Sequence, residues 1–258
     1  MKFICHMQYL VREISQKQRT KPLEIRGCSL GDIFGSQGTR NLLSQEQQSL
    51  IHSVSTLVQF DKGENTIFLE GEAGAFVYVI SSGLVRISRC GFSGRRQVLS
   101  LKLPGDVFGY PENGLYLNSA TAIGKTTLYR ISWERLQELM RMDPQLQSNV
   151  LVRVAFDLRQ AQKRILVLGQ QNISQRLASF LLELMEHADF YKPDLRQLFL
   201  PLSRFDLGDY LGTAPETVVR VLSKMEKSGI IHRLSSRVLL IPSQQNLAEM
   251  LQGRRRND

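Results

Sequence analysis

Residues 203–229 read SRFDLGDYLGTAPETVVRVLSKMEKSG, a run that spells two short helices with a tight turn between them. Ser203 followed three residues later by Asp206 is a capping-box start, in which a hydroxyl satisfies an otherwise orphan backbone N–H. Leu207, Tyr210 and Leu211 recur at helical spacing, and Gly212 stops that helix. Pro215 suits the first position of a second helix, because the N–H it lacks has no intrahelical partner there. Val218, Val221, Leu222 and Met225 form an apolar stripe that requires a core, whereas Glu216 and Arg220, at i and i+4, share an exposed face. Ser228-Gly229 closes the unit. The pattern is a helix-turn-helix whose second helix carries its polar chemistry near the N-terminus, where such helices meet base edges.

Downstream, IIHRLSSRVLLIP (230–242) holds two apolar strands around Ser235-Ser236. A hairpin here makes the unit a winged helix with the wing near phosphates. Ser243 begins a last short helix, and Arg254-Arg255-Arg256 is a basic tail. Upstream, an amphipathic helix over Ile173 to His187 leads through Lys192-Pro193 into the unit. Asp143-Pro144 opens a longer helix in which Leu151, Val154, Leu158, Ala161, Ile165 and Leu168 alternate spacings of three and four. That is a heptad seam, flanked by Arg153, Arg159, Gln160, Lys163 and Arg164, and it points to a homodimer rather than a helix packed inside its own subunit. Gly169 to Asn172 offers a hinge.

From Phe60 the pattern changes to short apolar runs punctuated by glycine: 66–71, 76–83, 84–90, 96–105, 118–124 and 126–132. Alternation of Val77 and Val79 with Tyr78 and Ile80, with regularly spaced turns, predicts a β-roll. Ser132-Trp133 then opens a helix, and Leu42 to Val58 reads as one helix with a Ser44/Gln47 capping box. The fold class is therefore α+β. An extension spans 1–42, loosely packed and helical near its start; a β-roll sensor domain spans 43–142, a dimerisation helix 143–170 and a winged helix-turn-helix domain 171–258.

The formal net charge of +9 favours a polyanionic partner. Three cysteines, Cys5, Cys28 and Cys90, with no C-x-x-C, argue against a disulfide framework. No apolar run reaches spanning length, so no membrane partner is expected and the chain reads as cytoplasmic. A nucleophile elbow, a P-loop and HExxH are all missing, which argues against an enzyme.

The order of roll, long helix and winged helix resembles the CRP/FNR superfamily of bacterial transcription regulators over about residues 55 to 251. The residues that carry the likeness are LPGDVFG (103–109), SGLVRI (82–87) and LGxxxETxxR from Leu211 to Arg220, and the FNR and FixK branches are the most similar. The resemblance implies that Glu216 and Arg220 read bases. A carboxylate accepts from cytosine N4 and a guanidinium takes guanine O6 and N7. The resemblance implies a TGA core in each half-site, arranged as a TTGA-type inverted repeat. The bland alternative is a surface ion pair between the two. Thr217, Ser203, Arg204 and Pro215 are expected at the DNA backbone. Val219 replaces the serine of the FNR branch and offers methyl contact to thymine, and Ala214 replaces the usual capping residue.

For the roll, the resemblance puts an effector pocket at Tyr110, Asn118 and Ser119. Cyclic-nucleotide binders have a glutamate and an Arg-Ser pair there, so a cyclic nucleotide is not expected. An FNR-type cluster needs four cysteines, three of them grouped before the roll, so no cofactor is expected. Haem through His6, His52 or Cys5 stays open, as does oxidation of Cys28 or Cys90. The turn from Cys90 to Arg96 matches the hairpin that touches RNA polymerase in activators of the superfamily. The reading is a FixK-like regulator competent for DNA without a ligand. The alternatives are an effector-gated regulator of the same fold, or a nucleotide-binding module that controls a protein partner.

Overall fold

The computed structural model describes residues 43–91, 94 and 96–252, so the expectations for residues 1–42, for positions 92, 93 and 95 of the Cys90 to Arg96 turn and for Arg254 to Arg256 lie outside the described residues. A capping box opens the first helix, α1 (Gln45–Ser53): Ser44 Oγ accepts from the Gln47 amide at 3.2 Å, and Gln47 Oε1 accepts from the Ser44 amide at 3.1 Å. This helix does not run to Val58. It ends at Ser53, and Ser55–Phe60 is strand β1, paired antiparallel with the run from Thr126 to Ile131. Thr56, Val58 and Phe60 are β-branched or aromatic, and a pairing partner outweighs their weak helical preference.

The remaining strands of the roll are β2 (Glu64–Phe68), β3 (Phe76–Cys90), β4 (Arg96–Lys102), β5 (Val107–Phe108) and β6 (Ser119–Ser132). They form one antiparallel sheet in the order β1-β6-β3-β4, with β2 also on β6 and β5 also on β3. The sequence runs 76–83 and 84–90 are a single strand, as are 118–124 and 126–132.

Strand β3 serves three surfaces. Val77 and Val79 pack toward helices, whereas Tyr78 and Ile80 face the interior of the roll. The register against β6 shifts between Ile80 and Ser82 and again between Ser82 and Leu84. Beyond that bulge the parity is reversed: Val85 and Ile87 now face the interior, and Leu84 joins the core of the C-terminal half. Gly83 makes the bulge possible. Its φ is +93°, and a Cβ there would lie 2.6 Å from the Lys125 carbonyl oxygen and 2.8 Å from Thr126 Cα. The interior is filled with aromatic rings. Phe68 stacks on Tyr116 at 3.8 Å between centroids, and Tyr78 stacks on Phe108 at 5.3 Å. The Tyr116 hydroxyl donates to the Phe76 carbonyl at 2.8 Å.

Helix α2 (Trp133–Met142) leads to Asp143, whose Oδ1 accepts from the amides of Gln145 and Leu146 at 2.9 and 3.1 Å and caps α3 (Pro144–Gln170). Its other oxygen accepts from Gln47 Nε2 at 2.7 Å, which ties α1 to the start of the long helix. The Gln47 amide, aided by the helix N–H groups, holds the Asp143 carboxyl below the usual carboxylate range. Gly169 lies inside α3, so the break is shorter than expected and falls at Gln171 and Asn172.

Asn172 and Gln175 form a second capping box at the start of α4 (Ile173–Met185). Then follow β7 (Tyr191–Lys192), a 3-10 turn (Pro193–Leu195), β8 (Gln197–Phe199), α5 (Arg204–Leu211), α6 (Pro215–Lys227), β9 (His232–Arg233), β10 (Val238–Leu240) and α7 (Gln244–Leu251). The β9–β10 hairpin is extended by β8 and β7 into a four-stranded sheet. Those two added strands are too short to show periodicity in the sequence.

Replacing Gly83 by alanine should cost at least about 2 kcal/mol, since the residue would meet both an unfavourable φ and backbone atoms inside contact distance. Urea denaturation of Gly83→Ala against the wild type checks this, and an unchanged midpoint would contradict the close approach.

Candidate nucleic-acid interface

Helix α5 begins as the spacing predicts. Ser203 Oγ accepts from the Asp206 amide at 3.1 Å and donates to Asp206 Oδ2 at 2.7 Å, so this hydroxyl is engaged in the cap. The helix ends at Gly212, in the left-handed conformation (φ 69°, ψ 42°) that glycine adopts without strain. The turn then lies directly on the α5 backbone: a Cβ at Gly208 would be 2.9 Å from the Thr213 carbonyl oxygen. Helix α6 starts with Pro215 in its first turn and with no side-chain bond from Ala214. Val218, Val221, Leu222 and Met225 are buried beneath it, against α5 and the C-terminal core.

The opposite face of α6 carries Glu216, Val219 and Arg220, all exposed, with Thr217 half-buried beside them. The i,i+4 ion pair between Glu216 and Arg220 does not form. Among the described residues, no salt bridge involves either side chain. The wing flanks this face. Glu226, near the end of α6, accepts from the Arg233 amide at 3.0 Å and from Arg233 Nε at 2.7 Å, and these bonds hold its carboxyl below the usual range. Arg204 Nη2 reaches the Ser236 carbonyl in the wing turn at 2.8 Å. Burial, and next the positive charges of Arg233 and Arg237, pull the Arg204 guanidinium below its ordinary value. Three guanidiniums thus gather between α5 and the wing. Arg233 and Arg237 were not singled out from the sequence, although they bracket Ser235-Ser236, the turn that the hairpin pattern had marked.

The HTH unit is docked on the roll. Asp206 Oδ1 accepts from both Arg86 Nη1 of β3 and Arg96 Nη2 of β4, the latter at 2.6 Å. Arg86 and Asp206 side chains are only 5% and 3% exposed. Arg96 also grips Asp209 at 2.8 and 3.0 Å, Gln97 Nε2 donates to the Asp209 carbonyl at 2.6 Å, and Arg86 Nη2 reaches Glu64 at 2.8 Å. Around these charges Leu84, Val98 and Leu103 of the roll join one continuous core with Leu177, Leu207 and Leu222. The other end of α5 is fixed to α3. The Arg164 guanidinium lies 3.8 Å above the Tyr210 ring and donates to the Tyr210 carbonyl. At the break, Arg176 donates to the carbonyls of Leu168, Leu211 and Gln171 at 2.6, 2.8 and 2.9 Å.

Helix α3 has two faces of opposite character. Toward its own subunit it presents Leu146, Asn149, Val150 and Arg153, and Arg153 Nη2 bonds Asp106 at 2.6 Å and Asp157 at 3.3 Å. Arg153 and Arg164, read from the sequence as flanks of the seam, are turned inward. The seam itself faces out: Leu151, Leu158 and Ile165 are 68%, 60% and 69% exposed, Val154 and Ala161 are exposed, and Leu168 is half-buried.

Two family models match the chain, a cyclic nucleotide-binding domain over residues 57–143 and a Crp-like helix-turn-helix domain over residues 175–250. The nitrogen fixation regulation protein FixK of Rhizobium meliloti is 36% identical over 183 residues, covering 71% of this chain and 82% of the relative. The chain belongs to the CRP/FNR family of DNA-binding transcription regulators. The transcriptional activator protein FnrA of Stutzerimonas stutzeri is 29% identical over 79% of this chain and 84% of its own length. The structure of FixK2 from Bradyrhizobium japonicum superposes with a TM-score of 0.69 at 32% identity, covering 76% of this chain and 96% of that one. These relatives are transcription regulators, and the chain is not an enzyme.

Within this CRP/FNR architecture the three residues expected at an effector pocket occupy different surroundings. Tyr110 packs with Val77, Val107 and Ile131, edge-on to Trp133 at 6.3 Å. Burial, and next the charge of Asp157, push its hydroxyl well above the usual tyrosine range. Ser119 instead pairs across β3 with Ser88 and accepts from the Glu70 amide at 3.0 Å, with Asn118 half-buried beside it. Cys90 is exposed at the end of β3. Among the described residues no group of three His, Cys, Asp or Glu side chains is placed to hold a metal ion, and no helix is long and apolar enough to cross a membrane.

Arg176→Ala removes three charge-assisted bonds to carbonyls at the α3–α4 break and should lower stability by on the order of 2–3 kcal/mol. Chemical denaturation followed by circular dichroism checks this, with Arg176→Lys recovering part of the loss.

Proposed function

We propose that two copies of this chain pair along Leu151, Val154, Leu158, Ala161, Ile165 and Leu168 and bind an inverted repeat of TTGA-type half-sites. In this reading residues 43–142 are the sensor roll, 143–170 the dimer helix and 171–258 the DNA-binding domain, with 1–42 an extension. The observation that carries it is the outer face of α6, where Glu216, Val219 and Arg220 stand exposed beside a wing rich in guanidinium groups. Glu216 accepts from cytosine N4, Arg220 takes guanine O6 and N7, and Val219 touches a thymine methyl. Arg204, Thr217 and the first turn of α6 at Pro215 lie along the phosphates. Ser203 acts there through its backbone, because its hydroxyl is committed to Asp206.

The regulator works without a cyclic nucleotide or an iron–sulfur cluster. Three cysteines are fewer than the four a cubane cluster requires, and Asn118 stands where a phosphate-binding arginine is needed. The roll interior is occupied by the Phe68–Tyr116 and Tyr78–Phe108 stacks, which supports the same reading. It acts in the cytoplasm and meets RNA polymerase through the segment from Cys90 to Arg96. One observation favours a second reading, in which an effector gates the same fold: among the described residues the buried Tyr110 hydroxyl has no hydrogen-bond partner. Titration of aerobically purified protein with an inverted-repeat duplex and a scrambled duplex at one salt concentration separates the two. Tight, selective binding by ligand-free protein supports the first. Equal weak binding that sharpens on adding haem or a nucleotide supports the second.

Two substitutions test the assignment. Arg220→Ala should forfeit about 1–3 kcal/mol of discrimination at the guanine of the TGA core while leaving the fold intact, as measured by anisotropy on matched and mismatched duplexes. Leu158→Glu should raise the dimer dissociation constant at least about a hundredfold and weaken operator binding with it. Sedimentation showing an intact dimer would refute the seam.

A further inference from the structure

Helix α5 is held at both ends by parts of the molecule that do not belong to the HTH unit. Asp206 in its first turn and Asp209 in its last are gripped by Arg86, Arg96 and Gln97 of the roll. At its end, Tyr210 is gripped by Arg164 of α3, and Arg176, within the C-terminal half itself, ties the Leu211 carbonyl to the Leu168 carbonyl of α3. The chain itself joins α3 to the C-terminal domain only through the break at Gln171 and Asn172. A single such joint leaves the recognition helix free to swing. Anchorage of one short helix at both ends, across a shared core containing Leu84, Val98 and Leu103, removes that freedom.

We propose that the Arg86–Asp206–Arg96–Asp209 network is a positioning element that sets which half-site spacing the regulator accepts, independently of the residues that read bases. This deepens the preceding proposal and rests on its homodimer. In a dimer joined along α3, the distance and angle between the two α6 helices follow from how each α5 is fixed to its roll and its α3. Inserting one base pair between half-sites rotates one arm by about 35° around the duplex and moves it by about 3.4 Å. A pair of rigidly mounted recognition helices cannot follow that change, whereas loosely mounted ones can. The network is built for rigidity. Arg86 and Asp206 are both buried, each is multiply bonded, and the two are 120 residues apart in sequence, so they fix one domain against another. None of the four side chains lies on the outer face of α6.

The test is binding, by fluorescence anisotropy at one salt concentration, to duplexes carrying two identical TTGA-type arms whose spacer is lengthened or shortened one base pair at a time. The wild type should lose at least about tenfold in affinity per step from its optimum. Arg96→Ala should lose less than about threefold per step, with the penalty for a mismatch inside an arm unchanged; Arg96→Lys should restore part of the sharpness. Arg96 is about one-third exposed, so this variant tests the idea even where the buried substitution Arg86→Met prevents folding. A spacing profile in Arg96→Ala as sharp as that of the wild type overturns the proposal. A wild-type profile that is flat, or a monomer by sedimentation, overturns the homodimer reading first and this inference with it.

Discussion

The carboxylate of Asp206, shared by two guanidiniums of the roll, is the contact on which the relation between the two halves depends. Burying such charges is costly, and a buried pair adds little net stability over well-packed apolar groups. Stripping away one partner is another matter, at about 3–5 kcal/mol, because the remaining charge is left uncompensated. The arrangement therefore tolerates very few alternative dockings. A shift of α5 by one turn would strip Asp206 of both guanidiniums and leave Arg86 with Glu64 alone. The same carboxylate also accepts from the Ser203 hydroxyl, so the cap of the helix and the docking of the domain use one side chain.

Much of this fold was legible in the sequence because its signals are local. The Ser203 start, the Gly212 stop and the stripe of α6 each depend on residues within a turn or two of one another, and they are observed where the spacing puts them; the apolar positions of α3 are equally local in the sequence and are mostly exposed in the chain. Strand β1 was read as helix because its identity is set by a partner, Thr126 to Ile131, far along the chain. The contact between Arg86 and Asp206 was invisible for the same reason, since paired charges at long range leave no period. Arg153 and Arg164 misled by position. Lying beside the seam in sequence, they project to the other side of the helix, where carboxylates and an aromatic ring await them. Tyr110, Asn118 and Ser119 were grouped by resemblance alone, and their packing separates Tyr110 from the other two.

Helix α3 inverts the usual arrangement of an amphipathic surface helix. Its inward face is rich in ion pairs, with Arg153, Asp106, Asp157 and Lys102 linked in one network, while its outward face is apolar. The exposed apolar positions of this helix are the ones that the proposed pairing of two copies would cover. The inward network fixes the rotation of the helix about its own axis and so decides which residues form the outward stripe.

The bulge at Gly83 bears on how such a chain can change over time. Upstream of it even-numbered side chains of β3 line the aromatic interior, and downstream odd-numbered ones do, so the segment acts as a phase-setter between two frames. Most single replacements along β3 would disturb one contact. Loss or gain of one residue between Ile80 and Leu84 would instead exchange every downstream side chain at once, sending Arg86 into the aromatic interior and Val85 and Ile87 toward the DNA-binding half. Lineages carrying this architecture should accordingly diverge in β3 by substitution and keep its length constant, while the connections at the rim of the roll absorb insertions.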